Sequence, residues 1–283
     1  IIGAGVIGME FASVFSSFGS NVTVIEFLKE CLPVLDSDIA KRLRQTIGKR
    51  GVEFYMQSAV KCITQTEGEE GAKQLTVNFE KKGKPVSIDA DVVLIATGRK
   101  PCTEGLALEN AGIEYSPKGI VVDDNFQTNV SGVYAIGDVN GRCLLAHAAT
   151  FQGLHVVNSI LNRPNDIQFD IMPSAIFTNP EAASVGLSED QLKASQHPYE
   201  CRKGFYRSNG KALAMNETDG MIKLLIDTAE NQRIIGCHAF GAHSADMVQE
   251  ISALMNSGTT LPQLANIIHI HPTLSEILHD MAL

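Results

Sequence analysis

The stretch I-I-G-A-G-V-I-G at residues 1–8 places three glycines, Gly3, Gly5 and Gly8, in the spacing G-x-G-x-x-G. Apolar residues then recur around a helix as far as residue 18, and a short β-branched run follows at residues 22–25. This order predicts a strand, a tight turn, a helix and a second strand, which together open a parallel α/β unit.

Each glycine of this turn has a separate reason to be glycine. Gly3 allows the tight turn, Gly5 lets the backbone approach a pyrophosphate, and Gly8 lets the helix pack closely on the strand. The helix N-terminus offers unpaired N–H groups to the phosphates. Glu26, 18 residues after Gly8, ends the second strand. Because a carboxylate accepts hydrogen bonds from ribose hydroxyls and repels a 2′-phosphate, Glu26 favours NAD over NADP.

A simpler interpretation is that the glycines serve only to make a turn. That interpretation leaves the acidic residue at the end of the second strand unexplained. The combination of glycine spacing, helix and Glu26 therefore predicts a dinucleotide-binding unit of the Rossmann type.

Length and composition narrow the class of protein. The chain has 283 residues, enough for about two domains. Apolar residues make up 44% and the formal net charge is −9, so we expect neither nucleic acid nor an anionic membrane surface as a partner. No apolar run approaches the ~18 residues of a membrane span.

The cysteine pattern bears on redox compartment and metal binding. The six cysteines lie at least 31 positions apart, and none forms a C-x-x-C or metal-ligand cluster. Free thiols in a reducing compartment fit this spacing better than disulfides do. We expect no metal site.

Along the rest of the chain, the pattern changes character near Pro173. Acidic residues precede an amphipathic helix over about residues 38–50, short strands follow over residues 52–95 with a turn at E-G-E-E-G (67–71), and a strand is predicted at 132–136. Downstream, strands at 221–226 and 233–240 are followed by helices near 244–257 and 273–281, an α+β pattern.

Further motifs follow in a fixed order: A-T-G-R-K-P (96–101), T-N-V-S-G-V-Y-A-I-G-D (128–138), L-L-A-H-A-A (144–149), A-I-F-T-N-P-E (175–181), D-G-M-I-K-L-L (219–225) and H-I-H-P-T-L-S-E (269–276). Their order and spacing resemble those of the flavoprotein pyridine nucleotide-disulfide oxidoreductases, and among these the dihydrolipoamide dehydrogenases most. The resemblance extends over essentially the whole chain.

The resemblance implies an α/β architecture in three parts. It gives a Rossmann-like NAD-binding domain at residues 1–98, the C-terminal segment of an FAD-binding domain at 99–172, and an α+β interface (dimerisation) domain at 173–283. The implied cofactors are FAD and NAD, and the implied assembly is a homodimer.

The implied activity is oxidation of dihydrolipoamide by NAD⁺ through FAD and a redox disulfide. The implied partners are the lipoyl domains of 2-oxoacid dehydrogenase or glycine cleavage complexes. The implied location is the bacterial cytoplasm, or the mitochondrial matrix if the source is eukaryotic.

The resemblance also implies cofactor contacts. Asp138 matches an aspartate that binds the flavin ribityl chain, although an aspartate in this position could also cap a helix or turn. Ala146 and His147 would begin a helix whose N-terminus faces the flavin pyrimidine ring. Gly98 lies where the family passes the NAD site, and Glu10 matches a glutamate near the nicotinamide that pairs with a lysine outside this chain.

The motif H-P-T-L-S-E at residues 271–276 admits two interpretations. Structurally, Pro272 could lie in the first turn of a helix, with Thr273 and Glu276 forming a capping box. Chemically, Glu276 could orient and polarise His271 as a general acid/base toward a thiol. The resemblance implies the second role, directed at the partner subunit's disulfide; His269 is expected to be structural.

Two family features are absent from this sequence: an FAD-binding glycine fingerprint and a redox-active C-x-x-x-x-C pair. We therefore expect a C-terminal piece of a longer enzyme, inactive by itself.

Three alternative functions remain open. One is a glutathione reductase-like enzyme, which Glu26 disfavours. Another is a mercuric reductase-like enzyme, which His271 and the missing C-terminal cysteine pair disfavour. The third is a noncatalytic nucleotide-binding or dimerisation module.

Overall fold

A computed structural model describes residues 1–67 and 73–283. The chain folds into two compact units, the first formed by residues 1–98 with 173–283 and the second by residues 99–172. The turn predicted at residues 67–71 lies outside the described residues, apart from Glu67 at the end of a strand.

The first unit begins with a small parallel α/β layer. Met9 on the first helix, Val24 on the first strand and Leu43 on the second helix are all fully buried in one core, which explains why these amphipathic elements pack together. The elements of this layer are helices α1 (Val6–Ser17) and α2 (Ser37–Lys49) and parallel strands β1 (Thr23–Ile25) and β2 (Glu53–Tyr55).

The strands predicted on either side of β1 are shorter than expected. Ile2 forms isolated parallel bridges to Ile25 and Ile95, and no strand runs over residues 92–96. Gly3 turns the chain out of the layer at once, with φ +100°, so the ladder at this point is only one residue long.

An antiparallel three-stranded sheet follows. Val77 and Phe79 on its central strand are buried with Ile25 of the parallel layer. This sheet consists of β3 (Ser58–Glu67), β4 (Lys73–Lys81) and β5 (Lys84–Ala90), paired in that order.

The second unit has little regular structure. A two-stranded hairpin, β6 (Tyr115–Ser116) and β7 (Gly119–Ile120), is followed by helix α3 (Ala146–Ile160). The strand predicted at 132–136 is absent; a single bridge joins Gln127 to Tyr134, since positive φ angles at Gly132 and Gly137 bend the chain on both sides.

The chain then returns to the first unit and builds an antiparallel five-stranded sheet in the order β10-β11-β12-β9-β8. Strand β11, which lies between β10 and β12, is buried at every position. The elements are β8 (Ser174–Ile176), β9 (Glu181–Gly186), α4 (Glu189–Ser195), β10 (Tyr199–Phe205), α5 (Gly210–Met215), β11 (Met221–Asp227), β12 (Ile234–Gly241), α6 (Ser244–Asn256), α7 (Leu261–Ala265) and α8 (Glu276–Ala282).

A buried ionic network joins this sheet to the N-terminus of α2. The ammonium of Lys223 on β11 is 2.7 Å from an oxygen of Asp36 and 2.6 Å from an oxygen of Glu189. The side chains of Lys223 and Asp36 are each only 1% exposed. Because an unpaired charge at this depth is costly, all three groups must be in place together.

Within residues 1–67 and 73–283, no helix has both the length and the apolar character needed to cross a bilayer.

Candidate functional site

Of the three glycines in the turn, two have no room for a side chain and one faces open space. A Cβ on Gly3 would lie 2.5 Å from the carbonyl oxygen of Ala96, and a Cβ on Gly8 would collide with the carbonyl of Gly3. A Cβ on Gly5 would meet nothing within 4 Å. Packing therefore requires glycine at Gly3 and Gly8, whereas the space beside Gly5 is open to a ligand.

The N-terminus of α1 has the features of an anion-binding site. Gly5 is its N-cap residue and provides no side-chain cap, and the first turn contains no acidic residue. The first N–H groups of the 12-residue helix therefore face the open side of the turn, as pyrophosphate binding requires.

Glu26 is tied to the same turn. One carboxylate oxygen accepts the N–H of Ala4 at 2.6 Å and the other accepts the N–H of Leu28 at 2.7 Å. Each oxygen has a second lone pair, so the carboxylate can still accept ribose hydroxyls. Glu26 thus fixes the turn and presents negative charge beside it.

Glu10 on α1 has a partner that the sequence does not reveal. Its carboxylate accepts the backbone N–H of Phe177 at 2.9 Å, and Ser13, one turn later, accepts the N–H of Asn179 at 2.8 Å. The motif at 175–181 is therefore bonded to α1. Gly98 has φ +127°, and a Cβ there would meet nothing within 4 Å.

In the second unit, Asp138 lies in a 3₁₀ turn, Gly137–Asn140. Its carboxylate accepts a hydrogen bond from the guanidinium of Arg99 at 2.8 Å, and both side chains are well exposed. The buried Gln152 of α3 holds the turn, because its Oε1 accepts from the N–H of Gly137 at 2.8 Å and from Asn140 Nδ2 at 2.9 Å. Sequence reasoning missed Gln152; a polar residue on the buried stripe of α3 was the available signal.

Helix α3 begins at Ala146, followed by His147, as the family resemblance implies. Leu145 precedes it without a side-chain cap, and the first turn carries no acidic residue. An uncapped N-terminus of this 15-residue helix suits a group that gains negative charge on reduction, as flavin does.

The histidine and glutamate of H-P-T-L-S-E are in contact. Nδ1 of His271 is 2.8 Å from Oε1 of Glu276, while Oε2 of the same carboxylate accepts the N–H of Thr273 at 2.8 Å. These two hydrogen bonds, the backbone one first, hold the pKa of Glu276 below its usual value. The imidazole of His271 is 81% exposed, so its other nitrogen is accessible.

The capping-box interpretation is only half right. Helix α8 begins at Glu276, not at Thr273, and Pro272 lies before its first turn. The hydroxyl of Thr273 donates to the carbonyl of Ile270 at 2.6 Å and contacts Ser275 Oγ, so it does not cap the helix. Glu276 supplies the backbone-directed half of the box and orients His271 with its other oxygen.

The remaining candidate groups have simpler roles. His269 is buried against Glu250, with 2.9 Å between Nε2 and the carboxylate. All six cysteines are free thiols. Across residues 1–67 and 73–283, no group of three or more His, Cys, Asp or Glu side chains could hold a metal ion.

Comparison with known proteins gives matches along the chain. Residues 1–153 match the family described as Pyridine nucleotide-disulphide oxidoreductase, and residues 172–282 match the dimerisation domain of that family. The mitochondrial dihydrolipoyl dehydrogenase of Pisum sativum is 36% identical over all of this chain and 56% of its own length. The dihydrolipoyl dehydrogenase of Bacillus subtilis is 37% identical over all of this chain and 59% of its own length.

Other matches carry different names. The leghemoglobin reductase of Glycine max is 37% identical, with 54% of its length covered. The solved structure of the HOCl-induced flavoprotein disulfide reductase RclA from Escherichia coli superimposes with a TM-score of 0.86 at 29% identity, covering 99% of this chain and 63% of that one. The chain spans a little over half the length of these relatives. It belongs to the pyridine nucleotide-disulphide oxidoreductase family.

Proposed function

We propose that this chain provides the NAD-binding and dimerisation parts of a dihydrolipoamide dehydrogenase, which oxidises dihydrolipoamide with NAD⁺. The observation that carries the proposal is the exposed His271, held by Glu276 at 2.8 Å. Neither side chain is part of the buried hydrophobic core. Together, the imidazole and the carboxylate make a general acid/base that is suited to thiols. The names of the pea and Bacillus relatives support the choice of substrate.

The thiol step uses His271 as a base. One thiol of dihydrolipoamide gives its proton to Nε2 of His271, and the thiolate attacks a disulfide, whose S–S bond breaks as a mixed disulfide forms. The imidazolium returns this proton to the enzyme thiolate that the attack releases. The second thiol then gives its proton to Nε2, and its thiolate closes the lipoamide ring. The second enzyme sulfur leaves and takes up this proton, which completes the enzyme dithiol. Glu276 accepts the Nδ1–H of His271 throughout and stabilises the imidazolium that forms.

The disulfide in this step comes from the partner subunit of a homodimer. The dyad lies on an exposed loop of the segment that matches the dimerisation domain of the family. This arrangement favours action across a subunit interface.

The cofactors match two places in the chain. Gly5 and the N-terminus of α1 would bind the NAD pyrophosphate, and Glu26 would bind the adenosine ribose. Asp138 and the start of α3 at Ala146 and His147 would bind the flavin side. When bound, FAD carries the electrons from the dithiol to NAD⁺.

The macromolecular partners follow from the substrate. Dihydrolipoamide is presented in cells on lipoyl domains, so we infer lipoyl domains of 2-oxoacid dehydrogenase or glycine cleavage complexes as partners. The matching location is the cytoplasm of a bacterium or the mitochondrial matrix of a eukaryote.

A comparison of substrates tests the proposal. In the holoenzyme, we expect kcat/KM with dihydrolipoamide and NAD⁺ to exceed that with glutathione disulfide and NADPH by more than about 100-fold, since Glu26 disfavours a 2′-phosphate. Better turnover of glutathione disulfide with NADPH would contradict the proposal and favour a glutathione reductase-like enzyme.

A further inference from the structure

The segment that carries the dyad has no regular structure of its own. Residues 267–275 lie between α7 and α8 and belong to neither a helix nor a strand. Ile268 and Ile270 point outward, with 95% and 77% of their surface exposed. Between them, His269 turns inward, and its side chain is only 5% exposed.

The buried imidazole uses both of its nitrogens. Nε2 of His269 is 2.9 Å from Oε1 of Glu250, and Nδ1 is 3.1 Å from the carbonyl oxygen of Ile267. Both oxygens are acceptors, so each of these contacts is a hydrogen bond when the ring nitrogen that it uses carries the hydrogen. The ring is thus oriented from two directions.

Glu250 lies on a firm support. It belongs to α6, whose neighbouring residues Val248 and Ile251 are buried at 1% and 0% exposure. The contact from His269 to Glu250 therefore connects an irregular loop to a helix fixed in the core.

The loop is held from its other end by Glu276, which accepts the N–H of Thr273 and contacts His271. His271 thus lies between two attachments, one at His269 and one at Thr273. On the basis of the proposed function, we propose that His269 and Glu250 are positioning residues that set the place of His271 for the thiol step.

Other titratable groups face the same ring. The His279 imidazole of α8 lies 5.8 Å from His269 between ring centroids, and Glu276 is close enough for the charge of His269 to lower its pKa. His269 therefore acts on the charge of Glu276 in the dyad, and it is also close to His271 along the chain.

Matched substitutions separate positioning from packing. His269→Gln keeps an N–H donor for Glu250 and Glu250→Gln keeps an acceptor for His269, whereas His269→Leu and Glu250→Leu keep bulk but lose the bond. Asp246→Asn is the control, because Asp246 lies one turn earlier on α6 with an exposed side chain that pairs with His243, at 3.4 Å.

In the holoenzyme, we expect each Leu variant to lower kcat for dihydrolipoamide by about 100-fold with KM nearly unchanged, and each Gln variant to restore about tenfold of that loss. Electron transfer from NADH to a dye should persist, since it does not use His271. Asp246→Asn should match the wild type in all three values. Equal losses for Leu and Gln, or a loss confined to KM, would overturn the proposal.

Hydrogen exchange tests the attachment independently of the substrate. In the Leu variants, amides of residues 268–273 should exchange about tenfold faster while those of α6 stay protected. Unchanged exchange would refute the attachment. Faster exchange with unchanged kcat would refute its role in positioning.

The test still gives a result if one variant does not fold or if the proposed function is wrong. Glu250 is one-third exposed, so Glu250→Leu remains a usable variant if the buried His269→Leu does not fold. If the wild type does not oxidise dihydrolipoamide, the proposed function fails, and the exchange result still decides whether His269 and Glu250 hold the loop.

Discussion

At the scale of single residues, Gly5 separates ligand binding from folding. A Cβ at this position meets no atom within 4 Å, and its φ of −73° suits any residue, so Gly5→Ala should fold normally. The added methyl group occupies the space into which a pyrophosphate would come. We expect NAD affinity, measured by calorimetry, to fall by about tenfold with no loss in Tm.

Two other glycines provide the controls for Gly5. Gly48→Ala on α2 makes only ordinary contact, at 3.9 Å from Phe54, and should leave NAD affinity unchanged. Gly8→Ala should destabilise the protein, because its Cβ collides with the carbonyl of Gly3. Full NAD affinity in Gly5→Ala would show that the pyrophosphate does not bind at this turn.

Glu26 should set the cofactor preference. Glu26→Arg removes the acceptor for the ribose hydroxyls and adds a partner for a 2′-phosphate, so kcat/KM should shift from NAD toward NADP by about 100-fold. Glu26→Gln keeps one acceptor for the N–H groups of Ala4 and Leu28 and should lose NAD affinity without gaining NADP. If Glu26→Arg leaves the preference for NAD over NADP unchanged, Glu26 does not contact the adenosine ribose.

The glycine turn and Glu26 were predictable from sequence because their requirements are local. The contact of Glu10 with the N–H of Phe177 was not, because it joins positions 167 apart. The roles of Asp138, Ala146 and His147 rest on the family resemblance and stay predictions.

At the scale of elements, the buried network of Lys223, Asp36 and Glu189 ties β11 to α2 and α4. Lys223→Met would leave Asp36 buried without its cation, and we expect a loss of about 3–5 kcal/mol in the free energy of unfolding by urea. Lys203→Met is the matched control, since Lys203 pairs with Asp38 at 36% exposure and should cost less than about 1 kcal/mol. Equal losses of unfolding free energy in Lys223→Met and Lys203→Met would show that burial does not make the Lys223 network more important than an exposed ion pair.

The same network predicts the response to acid. Burial acts to raise the pKa of Glu189, but hydrogen bonds from Lys193, Lys223 and Tyr199 outweigh it and lower the pKa to about 2. A carboxyl with a depressed pKa in the folded state stabilises it above the ordinary value of 4.5, and this stability is lost as pH falls toward about 2. Glu189→Gln should therefore flatten the dependence of Tm on pH in this window; an unchanged slope would contradict this origin.

Element types were more predictable than their ends. The helices α1, α2 and α6 and the strands β11 and β12 follow from apolar spacing and turn residues. The strand predicted at 132–136 is absent because the glycines on either side bend the chain. Helix α8 begins three residues later than predicted, at Glu276, whose carboxylate is bonded to the N–H of Thr273 and to His271 in the preceding loop.

At the scale of the whole molecule, the chain covers a little over half of its curated relatives, while matching them over its full length. The predicted division into an NAD-binding domain, a segment of an FAD-binding domain and a dimerisation domain is consistent with an enzyme that needs a second subunit, and it stays a prediction.

The central claim is that His271, oriented by Glu276, serves a disulfide of the neighbouring subunit. The most direct measurement is dihydrolipoamide oxidation by a mixed dimer, in which one subunit carries His271→Gln and the other lacks a redox cysteine. We expect both parent homodimers to bind FAD and to be nearly inactive. The mixed dimer should recover one working site, about half the wild-type rate, built from the intact His271 of one subunit and the intact disulfide of the other. A mixed dimer that binds FAD but stays inactive would contradict the claim.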